Sequence, residues 1–355
     1  MSKFWSKRAR ELDPYTPGEQ PQDQQYIKLN TNENPYPPSP KAIEAMREAS
    51  DESMRLYPDP MAKDLKQAIA DYYSLDYNQV FVGNSSDEVL AHTFVALLKK
   101  DKPLFSPDIS YGFYPAYCSL YDIENTKVPL SDNFTICTDD YCKGSGKDKG
   151  GIIFPNPNAP SGIALSLKDI EKIIKANPDV VIVIDEAYVD FGAETAISLI
   201  ENHPNLLVTQ TFSKSRSLAG LRVGFAVGHS DLIEGLERVK NSFNSYPLDR
   251  AAIAGATASI KDKDHFEKTC KKIIETRERV TLSLEEMNFT VLPSKTNFVF
   301  AKPNQADAEK LYLDLKENGF LVRYFSSPRI AGFLRITIGT NDEMDQFLQK
   351  IAELT

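Results

Sequence analysis

The sequence predicts an α/β fold: a large domain on a mostly parallel sheet covered by helices, followed by a smaller α+β domain. Three observations predict it. Short continuous apolar runs at 103–105, 151–154, 180–184, 206–209 and 224–227 recur through the middle of the chain. Strands without polar alternation are buried on both faces, as in parallel sheets. Helical stretches such as 167–176 separate them, which is the pattern of βαβ units. From about Tyr246 the character changes to a long helical tract (249–259, then 264–287) and a second set of strands around 290–292, 297–301, 321–323 and 334–338.

Residues 1–40 are rich in proline and asparagine, including Pro14, Pro35, Pro37 and Pro38. Each proline removes a donor and biases its predecessor towards extended backbone, so no regular helix forms there. A disordered tail is one reading. Tyr15, Tyr26, Ile27 and Leu29 favour the other, an ordered arm lying on the body of the protein. Ser39-Pro40 opens a helix, and 56–60 (Leu-Tyr-Pro-Asp-Pro) separates it from a second. The strand Val80-Phe81-Val82 leads into Gly83-Asn84-Ser85-Ser86-Asp87 and a helical run to Lys99. Such a turn suits an anion, because glycine permits close approach and free N–H groups face the ligand; any helix also needs an N-cap of this kind. The expected division is an arm at 1–40 packing with the small domain, a large domain at 41–245 and a small domain at 246–355.

In such sheets ligands collect at the carboxyl ends of the strands. Asp185 follows the apolar run 180–184 directly, Asn158 follows 151–154, and Lys214 follows 206–209. Lys214 stands among small residues in VTQTFSKSRSLAGLRVG (208–224), with Arg222 eight residues on. It is either a solvated surface lysine or a nucleophile; burial and nearby cations make a lysine amine available at working pH. Asp185, with Tyr188 three residues on, is a helix cap, a structural ion pair or a functional carboxylate. A lysine, a buried carboxylate and a phosphate cradle of hydroxyls plus Arg222 together suit one cofactor, pyridoxal 5′-phosphate.

These stretches carry a resemblance. The chain resembles fold-type I, pyridoxal-phosphate-dependent aminotransferases of the aspartate aminotransferase superfamily (class II), and within them the histidinol-phosphate aminotransferase family. The matching residues are Pro14-Tyr15-Thr16-Pro17-Gly18, Asn30-Thr31-Asn32-Glu33-Asn34-Pro35, Tyr57-Pro58-Asp59, 83–88, Tyr111-Gly112, 156–162, Asp185–Tyr188, 211–224, Phe243–Leu248 and 334–339. The resemblance implies that Lys214 carries the cofactor aldehyde and then moves the substrate proton as base and acid. It implies that Asp185 pairs with the pyridine nitrogen, that Tyr188 bonds the ring's phenolic oxygen O3′, and that Tyr111 stacks on the ring. Asn84, Ser85, Ser213 and Arg222 would hold the phosphate, joined by Tyr57 from the second subunit of a homodimer. Arg323 and Arg335 would receive the substrate's phosphate, with Tyr15 closing over it. One departure is that Ala159 stands where the superfamily has an asparagine contacting O3′; Asn158, one residue earlier, is the expected substitute.

The implied reaction is a ping-pong transamination between L-histidinol phosphate with 2-oxoglutarate and imidazole-acetol phosphate with L-glutamate, in histidine biosynthesis, through the pyridoxamine form. An aromatic amino-acid aminotransferase is the alternative, and a decarboxylase of a phosphorylated amino acid a third reading. A cofactor-fold sensing module is disfavoured, since no basic DNA-binding helix is visible. A net charge of −9 argues against nucleic acid or an anionic membrane as partner. The four cysteines show no CxxC pair or zinc spacing with the four histidines. With no secretory signal or spanning segment evident, the expectation is a cytoplasmic enzyme without metal.

Overall fold

The computed structural model describes residues 2–16 and 18–355; Pro17 of the Pro-Tyr-Thr-Pro-Gly motif lies outside the described residues. The larger sheet has seven strands: β1 (Val80–Asn84), β2 (Leu104–Pro107), β3 (Asn125–Val128), β4 (Gly151–Pro155), β5 (Ile182–Asp185), β6 (Leu206–Thr211) and β7 (Val223–Gly228). They run in the order β1-β7-β6-β5-β4-β2-β3. Every pair is parallel except those of β7, which runs antiparallel to β1 and β6. The link from β6 to β7 is too short for the helical crossover a parallel neighbour needs. Strands β4 to β7 are buried throughout, as their apolar runs require. The sequence reading missed β3, whose residues Asn-Thr-Lys-Val are polar and half-exposed because it is an edge strand. It also ran the helix after β1 on to Lys99; the α-helix is Ser85–Thr93, and its last turn loosens into a π-helical turn at Phe94–Leu98.

The second sheet is antiparallel, formed by Phe289–Val291, Phe298–Pro303, Leu334–Thr337 and Arg323–Tyr324. Helices Lys263–Glu286, Ala308–Glu317 and Asn341–Leu354 cover it, and Ile273, Val280, Leu284, Val299, Leu315 and Phe347 fill the space between. The arm is ordered. Ile27–Lys28 pairs in parallel with Phe320–Leu321, and Leu29 enters this smaller core. Helix Arg250–Lys261 corrects the expected boundary near 245: Leu248, Ala252, Ala256 and Ile260 lie in the larger core. That helix packs on helices Pro40–Glu48 and Lys63–Tyr73, so the helices change core at Asp262, while Phe300, Ile330 and Phe333 beyond it still join the larger core.

Candidate active site

The carboxyl ends of β5 and β6 and the start of helix Ser85–Thr93 open on one cavity. Its lining includes Ser85, Ser86, Tyr111, Asp185, Tyr188, Thr211, Ser213, Lys214 and Arg222. Lys214 follows β6 in a turn of small residues. Its Nζ donates to the carbonyl of Thr31 at 3.1 Å and stands 5.9 Å from the centre of the Tyr188 ring. The arm holds this turn in place, since Asn34 Nδ2 donates to the carbonyls of Lys214 and Ser215.

Asp185 ends β5 and is 4% exposed. Burial pushes its carboxyl up to about 6, against the opposing pull of hydrogen bonds from the Tyr114 hydroxyl, the Ala187 N–H and the Thr209 hydroxyl. The Tyr114 bond is 2.9 Å and the Thr209 bond 3.4 Å. Tyr111 packs edge-on against Tyr114 with centroids 5.6 Å apart, and its hydroxyl donates to Asp87. Burial, and then the Asp87 charge, keep the Tyr111 phenol protonated.

The anion cradle is built by a close crossing. Ser85 has a left-handed φ of 73°, and its N–H donates to the carbonyl of Arg222 at 2.8 Å. Arg222 Nη2 donates to Ser85 Oγ and to Asp87 Oδ2, each at 2.7 Å. A Cβ on Gly224 would overlap the backbone of Ser85 and Ser86. Gly224→Ala is therefore expected to cost about 1–3 kcal/mol of cradle geometry, lowering the affinity of the apoprotein for pyridoxal phosphate about 5- to 150-fold. Fluorescence titration of the apoprotein measures this, and unaltered affinity would remove the cradle from the argument.

These residues fit pyridoxal phosphate. Ser213 Oγ is buried and lacks any hydrogen-bond partner, yet it lines the cavity, so an orphaned donor faces the place a phosphate would take. The Asp87 carboxylate shares Arg222 with that place, and Ser85 and Ser86 line it beside Ser213.

A second cavity of about 480 Å³ adjoins the first through Tyr111, Ala159, Tyr188 and Lys214, and is lined further by Tyr15, Arg323 and Arg335. The two arginines sit opposite each other on paired strands, and neither forms an ion pair among the described residues. Burial lowers the Arg335 pKa; its Nη2 donates to the carbonyl of Asn30, while Nε has no partner. Tyr15 packs on Phe113 and Tyr111 at the rim.

Asn158 and Asn84 are placed away from both cavities, and Tyr57, expected to act on a second subunit's site, lies outside this chain's own. Asn158 lines neither cavity: its amide donates to the Ile109 carbonyl and the Ser161 hydroxyl, so it does not substitute for the amide missing at Ala159. Asn84 is exposed and turns its amide to the carbonyl of Pro247. Tyr57 is 78% exposed and stacks on Tyr246 outside both cavities. Sequence reasoning missed Asn32, Thr31 and Tyr114. Their signal was present only for the first two, inside the Asn-Thr-Asn-Glu-Asn-Pro stretch.

The class I and II aminotransferase family model matches residues 24–351. A histidinol-phosphate aminotransferase of Pseudomonas fluorescens is 58% identical over 354 residues, covering 100% of both chains. One from a Marinomonas species is 59% identical over 346 residues, 97% of each. The solved structure of the Sinorhizobium meliloti histidinol-phosphate aminotransferase in complex with pyridoxal-5′-phosphate shares the fold, with a TM-score of 0.89 at 22% identity over 100% of this chain and 99% of that one. The chain thus belongs to the class I and II aminotransferases and, among them, to the histidinol-phosphate aminotransferase family.

Proposed function

We propose that the protein transfers an amino group between L-histidinol phosphate and 2-oxoglutarate, giving imidazole-acetol phosphate and L-glutamate, with pyridoxal 5′-phosphate as cofactor. The observation that carries this reading is one cavity shared by Lys214 and two guanidinium groups, Arg323 and Arg335, that lack a carboxylate partner among the described residues. Paired guanidiniums offer forked donors to a phosphate ester in one half-reaction and to a carboxylate in the other. Relatives 58% identical over the whole chain support the same substrate and do not favour the aromatic alternative.

When bound, the cofactor supplies an electron sink for the electrons released at the substrate α-carbon. The chain's own residues do the rest. Asp185, held ionised by Tyr114, Thr209 and the Ala187 N–H, is the carboxylate for the pyridine nitrogen. Lys214 is the only amine lining either cavity among the described residues; its Nζ would hold the cofactor aldehyde and, when free, would carry the proton between the substrate α-carbon and the cofactor. Tyr188 would meet O3′, and Tyr111 would cover the ring. Ser85, Ser86, Ser213 and Arg222 hold the phosphate.

Tyr57 serves the site of a second copy in a homodimer, a reading supported by its exposure with Met54, Leu56, Phe243 and Tyr246. No helix among the described residues is long and apolar enough to cross a membrane, and the cytoplasm is the compartment that suits this reaction. Titrating the holoenzyme with L-histidinol phosphate and with phenylalanine tests the substrate. Bleaching of the visible band at low histidinol phosphate, with phenylalanine far weaker, is expected; equal potency would sink the assignment. Arg335→Lys should lower kcat/KM for histidinol phosphate about 10- to 100-fold, because one point charge replaces a fork.

A further inference from the structure

Among the described residues the Tyr188 hydroxyl has one hydrogen-bond partner, and that partner comes from the arm. Asn32 Nδ2 donates to the Tyr188 hydroxyl oxygen at 2.8 Å, across 156 residues of sequence. Asn32 is 2% exposed and is held by three further hydrogen bonds with two residues. Its N–H donates to Thr337 Oγ1 at 3.0 Å, its Oδ1 accepts from that same hydroxyl at 3.0 Å, and its carbonyl accepts from Asn297 Nδ2 at 2.9 Å. These bonds fix the direction of the amide. Thr337 Oγ1 receives the Asn32 N–H and gives its own proton to Oδ1, which leaves the NH₂ end for Tyr188. The phenol therefore accepts from Asn32 and keeps its proton for another partner. On its cavity side stand Lys214, 5.9 Å from the ring, and Ala159, which offers only a methyl group. Asn158 is committed to Ile109 and Ser161.

We propose that Asn32 is a positioning residue for Tyr188: its amide occupies the phenol as acceptor, so that the phenol proton is given to the O3′ oxygen of bound pyridoxal phosphate. The inference rests on the cofactor reading above. A donor at O3′ stabilises the phenolate that remains when the lysine-bound cofactor loses its proton, so it lowers the pH at which the visible band changes. Removing the direction removes that help, and the midpoint moves up.

The test is the pH titration of the visible absorbance of the holoenzyme in Asn32→Gly, Asn32→Asp, Tyr188→Phe and the Asn32→Gly/Tyr188→Phe double variant. Glycine is chosen because Asn32 has a left-handed φ of 56°, which alanine tolerates poorly. Aspartate keeps the size and the Thr337 bond but can only accept, which turns the phenol proton towards itself. Both single Asn32 variants are expected to raise the midpoint by about one pH unit. Tyr188→Phe should raise it similarly, and the double variant no further, since the two residues act as one unit. An unchanged midpoint in both Asn32 variants overturns the proposal, as does an Asn32→Gly shift that persists without the Tyr188 hydroxyl. A wild-type protein that gains no visible band with pyridoxal phosphate instead removes the cofactor reading on which the proposal stands.

Discussion

Replacing Lys214 with alanine is expected to lower kcat by at least about 10⁴-fold, because on the proposed reading one group serves both as the amine for the cofactor aldehyde and as the proton carrier. The fold should survive. Lys214 Nζ makes one hydrogen bond, to the Thr31 carbonyl, and no ion pair among the described residues, so stability changes by about 1 kcal/mol. Lys214→Arg separates charge from chemistry. A guanidinium keeps the positive charge in the cavity but stays protonated, so it can neither hold the aldehyde nor accept the α-proton. Steady-state turnover of histidinol phosphate with 2-oxoglutarate, read beside a thermal melt, gives both quantities. An arginine variant within tenfold of wild type would mean that Lys214 contributes only its charge.

How far the sequence foretold this site depends on the kind of information each residue needed. Lys214, Asp185, Ser213 and Arg222 were legible because each lies at a strand end, and a buried apolar strand fixes where its last residue emerges. Tyr188 was legible from its spacing after Asp185. Asn158 shows the limit: proximity in sequence does not set side-chain direction, and its amide turned to the Ile109 carbonyl instead of the cavity. Asn32 and Tyr114 act through contacts 156 and 71 residues away, which no local pattern encodes. The edge strand Asn125–Val128 lacks the apolar signal because one of its sides is uncovered. Helix Arg250–Lys261 was assigned to the wrong core for a related reason: its small apolar face, with Ala252 and Ala256, says that something packs closely but not what.

Asp185→Asn is expected to separate activity from stability, lowering kcat about 10³-fold while making the apoprotein more stable at neutral pH. The loss follows because a neutral amide cannot hold the pyridine nitrogen protonated, and preorganised charge of this kind contributes about 10²–10³-fold. The gain follows from linkage. The carboxyl has an ordinary value of 3.8 and is pushed up to about 6 in the fold by burial. Below pH 4 it is protonated in both folded and unfolded states and costs nothing. As pH rises towards 6 the unfolded chain ionises while the folded one resists, and stability falls. Above pH 6 the full penalty of about 3 kcal/mol is present. The amide avoids that penalty and can still accept from the Tyr114 hydroxyl. Thermal melts of both apoproteins should therefore differ by several degrees at pH 8, with the variant the more stable, and converge near pH 4. A variant that melts lower than wild type at pH 8 would mean that the donors around Asp185 outweigh its burial. On the expected outcome and the proposed reading, the pyridine nitrogen would supply the positive partner that Asp185 lacks in the apoprotein, so a buried aspartate that weakens the apoprotein would be the group that tightens cofactor binding.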